Sequence, residues 1–136
     1  MAQKTHKEKL DQLERAASEL GFETARRSPF RLHVHLDEEL IMEFLGSSED
    51  ELTFGFGGTP WHTHETVLLS IANGRYSEFS ASDVLLNLRS GELVIIEQFQ
   101  SDKLLDRWIA HRDEPVDLQH IEPSEVLVVR RLTDAV

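Results

Sequence analysis

Hydrophobic residues near the N-terminus recur at the spacing of one face of a helix. They are Leu10, Leu13, Ala17 and Leu20. Thr5 followed by Glu8 is the pattern of a capping box, and Gly21 is a typical helix terminator. This segment is therefore predicted to form an N-terminal amphipathic helix that covers a sheet.

From residue 30 to residue 57 apolar and polar positions alternate, which is typical of strands with one buried face. Two polar loops divide this stretch, so it predicts a three-strand antiparallel meander over residues 30–57. The side chains expected to face one core are Phe30, Leu32, Val34, Leu36, Met42, Phe44, Leu52, Phe54 and Phe56. A three-residue first loop pairs Leu32 with Phe44.

The same register places His33 opposite Glu43 on the outer face of the meander. An imidazolium beside an ionised carboxylate is a favourable cross-strand pair, and such a pair raises the pKa of the histidine. The sequence therefore predicts a raised pKa for His33.

The second half of the chain predicts another helix and more strands. Ser80 with Asp83 is an N-cap signature and Gly91 a terminator, so we expect a middle helix near residues 80–90. Residues 65–79 are ambiguous: Thr66 to Ala72 fit either a short helix or a buried strand, and Asn73-Gly74 ends either element.

A hairpin is predicted over residues 93–110, around Ser101-Asp102-Lys103, with Glu97 opposite Arg107. Both faces of this hairpin carry large apolar side chains, so the hairpin is expected to be central in its sheet. A last strand is predicted over residues 125–132. Together the elements predict an α+β fold, mainly an antiparallel sheet, as a single domain over residues 1–136.

The net charge of the chain indicates which kinds of partner the protein can bind. The chain carries 14 basic and 25 acidic residues, a formal net charge of −11. Nucleic acid is disfavoured, because backbone phosphates require a basic patch. The charge favours a basic protein partner, or it serves only to keep the protein in solution.

Cellular location follows from what the sequence lacks. It has no cysteine, which excludes disulfides and thiolate metal sites. No segment approaches the ~18 consecutive apolar residues of a membrane span. The N-terminus has no signal-peptide pattern, so we expect a cytoplasmic protein that does not bind membranes.

Two His-x-His triplets are the sharpest chemical feature of the sequence, His33-Val-His35 and His62-Thr-His64. Alternate residues of a strand project to one side, so neighbouring strands would bring up to four imidazoles together. Glu43 or Glu65 would complete the coordination shell of such a metal site. Otherwise the four are surface or hydrogen-bonded structural histidines.

Catalytic motifs are absent from the sequence. Gly55-Phe-Gly57-Gly58 lacks the lysine of a P-loop, and no GxSxG motif occurs. We therefore assign no catalytic residue, metal ligand or cofactor, and expect a binding protein rather than an enzyme. The alternative is a histidine-based metal-binding protein or a small metal-dependent enzyme. The residues expected to bind are Trp61, His62, His64, His33, His35 and Glu43.

Trp61 follows two glycines and a proline, and it is either an exposed contact aromatic or a buried residue at a strand exit. The sequence indicates no oligomeric state.

The stretch from Gly57 through Trp61-His-Thr-His64 follows the third predicted strand. A capped helix, the strand Glu92–Glu97, an Arg107-Trp108 return strand and a closing strand come after it. This order resembles the small bacterial α+β proteins encoded as immunity or accessory proteins beside polymorphic toxins. The resemblance spans about residues 30–132, although residues 65–79 are an addition and only Trp-His-Thr-His is specific. It implies a non-catalytic inhibitor that binds a basic toxin.

Overall fold

The computed structural model describes residues 6–46, 51–71, 74–113 and 124–132. These residues form two helices and antiparallel strands, which confirms the predicted α+β fold. The helices are α1 (His6–Glu19) and α2 (Ala81–Ser90). The strands are β1 (Glu23–Ser28), β2 (Arg31–His35), β3 (Ile41–Gly46), β4 (Leu52–Phe56), β5 (His62–His64), β6 (Thr66–Ser70), β7 (Tyr76–Ser80), β8 (Leu93–Gln100), β9 (Lys103–His111) and β10 (Glu125–Arg130).

A five-stranded sheet with the order β1-β2-β3-β4-β5 contains the predicted meander. Its register is the predicted one, with Leu32 opposite Phe44 and His33 opposite Glu43. Because opposed residues share a face, this register places Leu32, Val34, Met42, Phe44, Leu52, Phe54 and Phe56 on the core side. Phe44 and Phe54 stack there with their ring centres 5.4 Å apart.

Phe30 was predicted to lie in the core, and this is wrong, since 55% of its surface is exposed. The reason is strand β1, which the sequence pattern did not indicate. Because β1 and β2 pair as a hairpin, Phe30 occupies the turn between them rather than the start of a strand. Arg26 holds β1 against α1 by donating to the carboxylates of Asp11 at 2.7 Å and Glu14 at 3.1 Å.

The main core lies between the five-stranded sheet, both helices and the inner faces of the other strands. It contains α1 residues Leu10 and Leu13, and it continues into α2 through Leu85 and Leu88. The N-terminal helix therefore covers the sheet as expected. Thr5, the proposed cap of this helix, lies outside the described residues.

Helix α2 begins and ends where the sequence predicts. Ser80 accepts a hydrogen bond from the backbone of Asp83, and the Asp83 side chain accepts one from the backbone of Ser80. Gly91 adopts a left-handed conformation with φ +86° and ends the helix.

The predicted hairpin is present as β8 and β9, in a sheet with the order β10-β8-β9. Glu97 lies opposite Arg107 as predicted. The loop, however, has two residues instead of three. Ser101 and Asp102 both have positive φ, which is typical of the tight hairpin turn, and a bulge between Gln98 and Phe99 restores the predicted register.

Strand β8 is central in its sheet, as predicted, and both of its faces are buried, whereas β9 lies at the edge of the sheet. Ile95 faces the main core, and Ile96 faces a second, smaller cluster that Trp108 and Leu127 partly cover. The last strand, β10, ends at Arg130 and is therefore two residues shorter than predicted.

Thr66–Ser70 forms strand β6, which pairs with β7, rather than a helix. Val67 and Leu69 of β6 reach the main core, so the buried-strand alternative is the better description.

In the described part of the chain, neither helix has the length and apolar character needed to cross a bilayer.

Candidate functional site

The outer face of the five-stranded sheet carries most of the residues that the sequence singled out. The side chains of His33, Glu43 and His62 lie in one row across the sheet, because His33 pairs with Glu43, Glu43 with Gly55, and Gly55 with His62. Their neighbours along each strand, such as Met42 and Phe54, point to the core. The alternation of the strands thus gathers polar groups on the opposite side.

A groove of about 320 Å³ opens on this face above Gly55. Glu43 forms one wall, and Trp61 and His62 form the other. Gly55 lies where β4 and β5 come together: a Cβ atom there would lie 2.4 Å from the carbonyl oxygen of Trp61. Strand β5 therefore approaches β4 more closely than any other residue would allow.

Trp61 is half-buried and packs against the main core, with its ring centre 6.0 Å from that of Phe56. Its backbone N–H donates to the carboxylate of Asp106, on β9, at 2.9 Å. Trp61 therefore anchors β5 to the core and also lines the groove. Neither of the two predicted alternatives, an exposed contact aromatic or a buried residue, describes Trp61 alone.

The predicted pairing of His33 with Glu43 is only partly realised. Nε2 of His33 lies 3.7 Å from Oε1 of Glu43, too far for a hydrogen bond, and this buried atom has no hydrogen-bond partner within the described part of the chain. Nδ1 of His33 accepts a hydrogen bond from Arg27 at 3.4 Å.

The expectation of a raised pKa for His33 is wrong. Burial lowers the pKa of His33 below its ordinary value of 6.5, because desolvation disfavours the charged ring. Glu43 opposes this effect, while Arg27, Arg31 and His35 add to it. His33 is therefore neutral at pH 7, and its ring does not compensate the charge of Glu43.

His62 and His64 are exposed on one side of β5, with ring centres 5.2 Å apart. Nδ1 of His62 lies 3.1 Å from the carbonyl oxygen of Pro60. Nδ1 of His64 lies 2.9 Å from a carboxylate oxygen of Glu51 and 3.0 Å from the hydroxyl of Thr53. In both rings, Nδ1 is therefore the nitrogen whose polar contacts fix the orientation of the ring.

The four histidines do not converge. Strands β2 and β5 are separated by β3 and β4, which puts the two triplets about 14 Å apart across the sheet. His35 lies opposite Glu23 and lines a different hollow, together with Asp37 and Glu38. No group of three or more histidine, aspartate or glutamate side chains able to hold a metal exists among the described residues.

Glu65, the other proposed ligand, has a structural role. Its carboxylate accepts a hydrogen bond from the backbone of Leu52 at 2.6 Å and lies 3.3 Å from the ammonium group of Lys9. It therefore links the start of β4 to helix α1, on the side of the sheet away from the groove.

Sequence reasoning missed three residues that shape this site: Gly55, Glu51 and Asp106. Gly55 had a detectable signal, since a glycine inside a strand pattern often marks a close approach of another backbone. Glu51 and Asp106 had none, because their partners lie 13 and 45 residues away along the chain.

Comparison of this chain with models of protein families, with curated proteins and with solved structures finds no match. The comparisons therefore do not bear on the resemblance to toxin immunity proteins, which rests on the order of elements and on the Trp61-His-Thr-His64 motif.

Proposed function

We propose that this protein is a binding protein that holds a cationic side chain of a basic protein partner in the groove above Gly55. The carboxylate of Glu43 is the observation that carries the proposal. It is one-third exposed, and within the described residues its charge contact is with a histidine that is neutral at pH 7. A guanidinium or ammonium group entering the groove would compensate this charge.

The remaining walls of the groove suit the same ligand. Leu45, Pro60 and Trp61 also line the groove and supply apolar surface for the carbon chain of such a side chain. Arginine suits the site better than lysine, because its flat guanidinium pairs with a carboxylate through two parallel hydrogen bonds.

The net charge of −11 favours a basic partner over long range, since a negative field accelerates the approach of a positive surface. Among basic proteins, the resemblance of Trp61-His-Thr-His64 to immunity proteins makes a bacterial toxin the proposed class. In this proposal the protein neutralises the toxin by covering it and performs no chemistry.

A titration with N-acetylarginine amide, followed by NMR, tests the groove directly. We expect saturable shifts at the Gly55 amide and the Trp61 indole, with an affinity of about millimolar, as is usual for a single contact group. The citrulline analogue, which has the same shape without the charge, should cause no saturable shift.

Two variants complete this test. Glu43→Gln removes the charge without changing the shape, and it should abolish the arginine response. Glu78→Gln is the matched control, because Glu78 is exposed on β7 away from the groove. A response that survives Glu43→Gln, or equal shifts with the citrulline analogue, would contradict the proposal.

A further inference from the structure

The hydrogen bonds of His62 and His64 fix which nitrogen of each ring is available to a ligand. A backbone carbonyl accepts hydrogen bonds and never donates them, so Nδ1 of His62 carries the proton that it shares with Pro60. An ionised carboxylate is likewise only an acceptor, so Nδ1 of His64 carries the proton directed at Glu51. In both neutral rings Nε2 is left with a free lone pair.

This arrangement is the one that metal-binding histidines show. A histidine ligand usually donates its second N–H to a carbonyl or a carboxylate, which fixes the ring and makes the other nitrogen more basic. His62 has the carbonyl of Pro60, and His64 has the carboxylate of Glu51. Both rings are exposed, so an ion reaches them from solvent.

The separation of the rings fits one ion. Two imidazoles bound to the same tetrahedral ion, with metal–nitrogen bonds of about 2.0–2.1 Å, have ring centres about 5 Å apart. The ring centres of His62 and His64 are 5.2 Å apart. The extended strand would leave side chains two residues apart at about 7 Å, so here the rings have already drawn together.

We infer that His62 and His64 form an exposed two-imidazole site for a divalent transition-metal ion, with Zn²⁺ as the best geometric match. Two protein ligands leave further coordination positions to water, so the site is of moderate affinity. This inference does not depend on a protein partner, and it differs from the four-histidine centre that the topology rules out.

The other triplet provides an internal control. Nδ1 of His33 accepts a hydrogen bond from Arg27, and its Nε2 is buried. The lone pair of His33 is therefore already used, and His33-Val-His35 does not form a comparable pair although its sequence pattern is the same.

Isothermal titration of the tag-free, chelator-treated protein with ZnCl₂ tests the inference. We expect one site, with binding that weakens at least tenfold in His62→Ala and in His64→Ala and is unchanged in His35→Ala. Because a metal displaces protons from its ligands, binding should also weaken on acidification. Circular dichroism of each variant separates lost binding from lost structure.

NMR provides the second readout. Zn²⁺ should shift the ring signals of His62 and His64 together at one equivalent and leave those of His33 and His35 in place. Binding that His35→Ala weakens equally, or that survives loss of either His62 or His64, would overturn the inference.

Discussion

Phe54 is the residue at which the predicted register has its largest energetic consequence. Its side chain is 1% exposed and stacks on Phe44. Phe54→Ala should therefore lower the free energy of unfolding by about 3–5 kcal/mol, through lost burial and a residual cavity.

Phe30→Ala is the matched control for this measurement, because the same ring lies half outside the fold in a turn. It should cost less than about 1 kcal/mol in chemical denaturation. Equal losses for the two variants would contradict the assignment of Phe30 to the turn.

The titration of His33 tests the electrostatics of the groove. Its pKa is lowered in the folded protein, so the neutral ring is the stabilised form. That stabilisation is present above the ordinary value of 6.5 and is lost as pH falls through the folded pKa. NMR should therefore place the midpoint of His33 below 6.5.

Glu43→Gln should lower the pKa of His33 further, because Glu43 raises it. A midpoint above 6.5 in the native protein would restore the ion pair and remove the uncompensated charge from the groove. An upward shift in the variant would contradict the raising effect of Glu43 on the pKa of His33.

The side of the sheet to which each strand side chain points was predictable from the sequence, because strand alternation alone places Leu32 inside and Glu43 outside. The pKa of His33 was not predictable in the same way. It depends on burial and on Arg27, which belongs to a strand that no pattern indicated.

Among the elements, the pairing of β4 with β5 depends most on a single position. A Cβ at Gly55 would collide with backbone of β5, which cannot move independently. Gly55→Ala should therefore lower the free energy of unfolding by about 1–3 kcal/mol, as overpacking usually does, and should perturb the NMR signals of β5.

Gly57→Ala is the control for Gly55→Ala. The closest atom to a Cβ at Gly57 would be the end of the Glu43 side chain, at 3.1 Å, which can turn away. The backbone oxygen of Ile41 would lie at 3.7 Å, an ordinary contact distance. The cost of Gly57→Ala should stay below about 1 kcal/mol. If the two variants are equally stable, β5 does not lie where the structure places it.

Elements with a periodic pattern were predictable, and those held by distant contacts were not. Strand β1 has the sequence Glu-Thr-Ala-Arg-Arg-Ser and no apolar alternation. It is a strand because it pairs with β2 and because Arg26 reaches the carboxylates of α1. The β8–β9 loop was predicted one residue too long, since a bulge is invisible in the hydrophobic pattern.

On the scale of the whole molecule, the proposed function depends on the net charge of −11 and on one specific groove. The net charge can be counted from the sequence. The groove could not be predicted from it, because the groove forms only when β5 pairs with β4 beside Gly55. A field of this kind increases the association rate and weakens with salt, whereas a buried charge contact mainly slows dissociation. We therefore propose Glu43, rather than the total charge, as the source of the specific contact.

Quantitative affinity capture from cells of the source organism is the decisive test of the proposed contact, with native protein, Glu43→Gln and Glu78→Gln immobilised in parallel. We expect the native protein and Glu78→Gln to retain the same basic protein and salt to release it. Glu43→Gln should retain at most a tenth as much. Equal retention by Glu43→Gln, or no basic protein retained by the native protein, would contradict the proposed contact.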